Sequence, residues 1–221
     1  LKTLNAGAAG YNTGVGVDSG LSLTTGVRNT AIGSFALDAA TTSDDNTAVG
    51  YNAGTEITTG TDNVILGSSA GAALVAGSSN VAVGFEALST EDGNGESVAI
   101  GYRALKTQNA GAAAYNTAVG YNAGTAITVG IRNTAIGANA LDTATDGDDN
   151  VAIGYDAGTA VTTASDNTLV GAYAGTALTT GTANVAVGFE ALKTEDADGK
   201  ATAVGYQALK TQNAGADSHN T

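Results

Sequence analysis

The sequence predicts an all-β fold: a single-chain parallel β-solenoid of about twelve 17-residue coils. Three observations carry that reading. The glycine closing each "xA(V/I)G" stands at Gly16, Gly33, Gly50, Gly67, Gly84 and Gly101, then at Gly120, Gly137, Gly154, Gly171, Gly188 and Gly205, a constant step of seventeen broken once by nineteen. The residues before it alternate with period two, the mark of a strand with two unlike faces. A coil this short cannot bury its own apolar face, so it must stack on copies of itself.

Each element follows from its column, counted from the key glycine. Position −1 is aliphatic in all twelve units: Val15, Ile32, Val49, Leu66, Val83, Ile100, Val119, Ile136, Ile153, Val170, Val187 and Val204. Being the bulkiest apolar column of the strand, it is expected to form the coil core. Tyr51, Tyr102, Tyr121, Tyr155 and Tyr206 at +1 share its parity and are expected in the core with it, the alternative being a ladder on which carbohydrate could stack.

Position −2 is small: Ala31, Ala48, Ala82, Ala99, Ala118, Ala135, Ala152, Ala186 and Ala203, with Ile65 and Leu169 at two equivalent places. Small side chains in register make a flat strip on which another chain can lie closely, so these eleven positions are expected to form an oligomer interface.

Beyond the glycine, +4 reads Gly, Leu, Gly, Gly, Leu, Leu, and then the same six again. Where +4 is Gly, +7 is aliphatic (Leu23, Ile57, Leu74, Ile127, Val161, Leu178); where +4 is Leu, +7 is Ala, Glu or Gln. One large side chain per coil thus fills a shared interior slot. Gly at +10 suits a turn with positive φ. Asn opens ten of the twelve units, where stacked amides can hydrogen-bond their copies. Each coil is therefore expected to hold two short strands and two tight turns.

A longer period overlies the shorter one. "KTLNAGAAGYNT" from Lys2, "KTQNAGAAAYNT" from Lys106 and "KTQNAGADSHNT" from Lys210 recur at equal intervals. The solenoid over 1–221 therefore comprises two six-coil blocks, 12–115 and 116–219. The pattern runs to both ends and Met is absent, which points to a longer natural protein.

Composition narrows the function classes. The chain has no Cys, so it has no disulfide framework, thiolate nucleophile or Cys-type zinc site. The net charge of −13, with 8 Lys plus Arg that are not clustered, argues against nucleic-acid binding. No apolar run has the roughly 18 residues a membrane span needs.

Catalysis would need positioned groups that break the repeat. The single His, His219, takes the place of Tyr11 and Tyr115 near the end of the chain, and no catalytic residue is assigned. Acids gather at the variable turns, as Asp44 with Asp45, Glu91 with Asp92, Asp148 with Asp149, and Glu195 with Asp196 and Asp198, where solvation accounts for them. Asp146, Asp148 and Asp149 of "DGDD" are candidates for Ca²⁺, and no metal or cofactor is otherwise implied. Glycine-rich "GVGVDSG" from Gly14 lacks the "GK(S/T)" of a phosphate loop. The pairs Thr24–Thr25, Thr58–Thr59, Thr162–Thr163 and Thr179–Thr180 invite comparison with flat ice-binding arrays, but the Leu-type coils interrupt them.

"NTAVGYNAG", "NVAVGFEAL" and "SVAIGYRAL" resemble the "NSVAIG" head repeats of trimeric autotransporter adhesins (YadA-like), and "NTAIGANALDTATDGDD" (Asn133 to Asp149) is similar to repeats of tail-fibre-like bacterial and phage proteins. The similarity covers essentially all twelve coils, although the adhesin repeat is usually shorter than this one and no neck, stalk or anchor is present here. What the resemblance implies is a left-handed β-roll, a homotrimer, and a structural or adhesive fibre segment, extracellular, on a cell surface or virion. Its partners would be itself and a host-surface glycan or protein receptor, without nucleic acid and without membrane contact in this segment. A ligand-binding solenoid for Ca²⁺, glycan or ice is the alternative.

Overall fold

The computed structural model describes residues 10–93, 95–111, 113–195, 197 and 199–211. Among them are twelve three-residue strands and no helix: β1 (Thr13–Val15), β2 (Thr30–Ile32), β3 (Thr47–Val49), β4 (Val64–Leu66), β5 (Val81–Val83), β6 (Val98–Ile100), β7 (Thr117–Val119), β8 (Thr134–Ile136), β9 (Val151–Ile153), β10 (Thr168–Val170), β11 (Val185–Val187) and β12 (Thr202–Val204). The chain divides into two compact units between Ala114 and Tyr115.

Within each unit consecutive strands pair in parallel, each displaced from the last by one whole coil, so that Ala31 lies beside Ala48 and Ala48 beside Ile65, and in the second unit Ala135 beside Ala152. The fold is the expected parallel β-solenoid. Each coil, however, holds one strand rather than two, the rest being turns and bends. Turns prevail because +2 and −5 adopt left-handed backbone conformations whatever residue stands there, as at Phe35 (φ 61) and Arg28 (φ 59), and a left-handed residue interrupts an extended strand. These turn residues still stack, for example through Phe35 N–H to Val17 O at 2.9 Å.

The two faces of the strand are exchanged relative to expectation. Ala31, Ala48, Ile65, Ala82, Ala99, Ala118, Ala135, Ala152, Leu169, Ala186 and Ala203 are buried inside the coils and form no surface strip. None of the aliphatic −1 column is buried: Val15, Ile32, Leu66, Ile100, Ile136, Ile153 and Val204 are exposed, and Val49, Val83, Val119, Val170 and Val187 are half-buried.

Volume is the reason. The narrow interior is filled from its far side by the side chains at +4 and +7, such as Leu37, Ile57 and Leu88, all fully buried, which leaves room only for a methyl on the strand side. Where Ile65 enters this column, Gly54 and Gly71 make space, since a Cβ on either would stand 3.0 and 3.1 Å from Ile65 Cδ1. Leu169 has the same arrangement with Gly158 and Gly175.

Of the +10 glycines Gly111 (φ 68) has the expected positive φ, and others differ. Gly26 and Gly60 have no positive φ; they are small because a Cβ would lie 2.3 Å from the carbonyl oxygen of the next coil. The Asn column is a buried ladder as expected. Asn29 Oδ1 accepts from Asn46 N–H (3.0 Å), and Asn46 Oδ1 from Asn63 N–H (3.1 Å), while each Nδ2 reaches a carbonyl across its own coil, as Asn46 does to Gly60 O at 2.8 Å. Buried backbone donors that the turns leave unpaired are thereby satisfied.

Candidate functional site

In each unit the outward face of the strand ladder carries apolar groups that the coil's own packing does not account for. The −1 column leaves large aliphatic groups in water, with Ile32 and Leu66 each 38% exposed. Position −3 points the same way and is Thr or Val, with Val64 41% exposed. A parallel sheet is ordinarily covered on both faces. Here the inner face is covered by the coil and the outer face is bare.

Past the glycine the face continues into a column of rings. Tyr51, Tyr102, Tyr121, Tyr155 and Tyr206 are exposed, which corrects their expected place in the core. They share the parity of the −1 column as expected, and that column faces outward. Phe85 stacks on Tyr102 (centroids 5.4 Å apart, planes at 14°) and Phe189 on Tyr206 (5.6 Å, 11°). The Arg103 guanidinium carbon lies 4.9 Å from the Tyr102 ring centre, a cation–π contact.

The charged groups are arranged in pairs from coil to coil. Arg28 grips Asp45 through Nε–Oδ1 (2.5 Å) and Nη2–Oδ2 (2.6 Å), and Arg132 grips Asp149 likewise at 2.7 Å and 2.7 Å. The guanidinium hydrogen bonds hold the Asp45 and Asp149 carboxyls below the usual range. Glu190 receives Lys193 and Lys210, and its carboxyl is lowered to about 2 by the Lys193 hydrogen bond first and the Lys210 bond next.

The calcium candidates are committed elsewhere. Asp148 Oδ1 accepts from Ile131 N–H (2.8 Å), Asp149 is held by Arg132, and Asp146 accepts from Thr128 Oγ1–H (3.2 Å). Among the described residues no group of three or more acids, His or Cys could hold a metal. The first threonine of three of the pairs is likewise engaged: the hydroxyls of Thr24, Thr58 and Thr162 donate to carbonyls of the next coil at 2.9, 3.1 and 3.2 Å. That gives these hydroxyls a structural use.

Two acids expected in solvated turns are interior. Glu91 and Glu195 are fully buried, because +7 is the interior slot. Gln108 Nε2 donates to Glu91 Oε2 (3.0 Å) and to Ser97 Oγ (2.9 Å), so that a polar bridge stands where Ser97 replaces the ladder Asn. The +7 compensation was the signal that could have found them. An open depression of about 280 Å³, lined by Ala76, Ser78, Ser79, Gly93, Gly95, Glu96 and Ala113, offers two hydroxyls and one carboxylate. His219, Asp196 and Asp198 lie outside the described residues. No protein-family model, no curated protein and no solved structure matches the chain.

Proposed function

We propose that this chain is a structural and adhesive segment of an extracellular fibre, on a bacterial surface or a phage tail, assembled with itself as a homotrimer. The observation that carries the reading is the uncovered Val/Ile/Leu column in both units. At about 4.8 Å per strand, six strands give roughly 29 Å of apolar ladder in each unit. An exposed face of that regularity is a packing surface, and self-association covers it without any other partner. Three chains and a setting outside the cell, where an acidic surface favours solubility, are what the resemblance of the repeat to adhesin heads implies. The repeat supplies length and rigidity, so its work is to project a receptor-binding tip and to touch a glycan or protein receptor along its flank.

Immunogold labelling with an antibody raised against the repeat tests the setting. Gold along filaments on intact cells or virions is expected; label confined to the lysed cytoplasm would contradict the proposal.

A further inference from the structure

Between walls two coils apart the ring column has one gap that is plugged and a block-equivalent one that is not; Tyr121 and Tyr155 flank a further gap across Ala138, where Asn139 takes the place of the plug. In the second unit Tyr155 and Phe189 stand two coils apart with Ala172 between them, and the side chain of Tyr173 enters the gap. Its ring centre is 5.5 Å from Tyr155 with the planes at 77°, and 5.9 Å from Phe189 at 88°. Both contacts are edge-to-face, the arrangement that ring quadrupoles favour.

The block-equivalent walls in the first unit are Tyr51 and Phe85, with Ser68 and Ser69 between them and no aromatic residue from 52 to 84. Ser69 (φ 57) has the same left-handed backbone as Tyr173 (φ 61), so the frame is kept and only the plug is missing. Each wall is braced from its other side, Tyr51 by Phe35 (6.0 Å, 86°) and Phe85 by Tyr102 (5.4 Å, 14°). At about 4.8 Å per coil the walls stand roughly 10 Å apart, the span that Tyr173 fills in the other unit. Tyr51 is 54% and Phe85 41% exposed, so apolar ring surface faces water across a floor of two small hydroxylated residues.

We propose that the notch between Tyr51 and Phe85 is a binding site for one aromatic side chain, Phe or Tyr, presented by a partner polypeptide. The chemistry of the occupant is read from the protein's own plugs: Tyr173 in one unit and Phe35 against Tyr51 in the other, one with a hydroxyl and one without. A planar ring meeting the walls edge-to-face is what this frame accepts. The inference uses the ring column that continues the aliphatic face, but neither the aliphatic groups themselves nor self-association.

The test is an amide NMR titration of the full chain with N-acetyl-phenylalanine amide, and with N-acetyl-leucine amide and maltose as controls. The aromatic probe is expected to give saturable shifts at Tyr51, Ser68 and Ser69 that neither control produces. Ser69→Tyr, which copies the plug of the second unit, should weaken binding at this notch at least tenfold and leave the other amides in place. Tyr173→Ser should open a second site between Tyr155 and Phe189. Absence of saturable shifts, shifts that survive Ser69→Tyr, or a response to maltose in place of the ring would overturn the proposal. So would movement of the Ser69 amide with protein concentration alone, since a second copy would then be the occupant.

Discussion

Asn46 and Asn63 share one oxygen: Asn46 Oδ1 accepts both the backbone N–H of Asn63 at 3.1 Å and its Nδ2–H at 2.9 Å. Asn63 repeats the arrangement toward Asn80 (2.9 and 3.1 Å) and donates across its own coil to Gly77 O (2.8 Å). Asn63→Ala therefore leaves the Asn80 N–H and the Gly77 carbonyl without these partners in a buried place. The expected cost is roughly 2–4 kcal/mol, two buried polar groups at about 1–3 each less relaxation. Amide hydrogen exchange should localise the loss to the coils of β4 and β5, since a stacked repeat responds through its nearest neighbours.

The key glycines are fixed by contact as much as by torsion. Gly50 has φ 143, and a Cβ there would sit 2.4 Å from the carbonyl oxygen of Gly67. Gly50→Ala is expected to cost on the order of 3 kcal/mol, since the backbone of two coils must part. Gly93→Ala, with nothing within 4 Å and no positive φ, should change stability by less than about 0.5 kcal/mol. Chemical denaturation of the two variants side by side checks the contrast.

Asp142 has a carboxyl raised above its ordinary value, by burial first and by the nearby charge of Asp156 second, and its Oδ1 is buried without a hydrogen-bond partner. A carboxyl raised in the folded state costs stability once it ionises. The cost is absent below the ordinary Asp range, grows as pH rises from the unfolded to the folded value, and is complete above the latter. Asp142→Asn is accordingly expected to stabilise the second unit at pH 7 and to have no effect at pH 3. Melting curves at the two pH values measure this; equal shifts at both would be contrary to the account. In the first unit the equivalent Asp38 accepts the Thr55 hydroxyl at 2.5 Å and Asn52 stands in place of Asp156.

The exchange of faces on the strand can be read chemically, because the chain contains no Cys. Val49→Cys places a thiol on the outward column and Ala48→Cys places one inside the coil. Under mild oxidation the first is expected to give interchain disulfides on a denaturing gel and the second none. The reverse result would return the interface to the alanine column.

Much of this was legible in the residues. The constant step between key glycines set the parallel register, the exchange between +4 and +7 located Leu37, Ile57 and Leu88 in the interior, and the Asn column announced its ladder. The orientation of the strand was not legible from alternation, which separates two faces without saying which is inward. Size misleads here, because so short a coil has space for a methyl on the strand side once leucines occupy the other. The discriminating signal was Ile65 flanked by Gly54 and Gly71, and Leu169 flanked by Gly158 and Gly175: large residues tolerated only where glycine vacates the same volume. The Tyr column followed the −1 column outward for the same reason. The plugged and open ring gaps could not be read from spacing, since Phe35 and Tyr173 enter from +2, one position off the ring column.

Sedimentation equilibrium of the chain, beside a variant carrying Ile32→Lys and Leu66→Lys, tests the central claim most directly. The account predicts a mass three times the 21.4 kDa of one chain for the unaltered protein. It predicts a folded single-chain species for the variant, because a charge on the outward column disrupts packing between chains and leaves the coil interior intact. A monomeric mass for the unaltered protein at micromolar concentration, or an unchanged trimer in the variant, would contradict it.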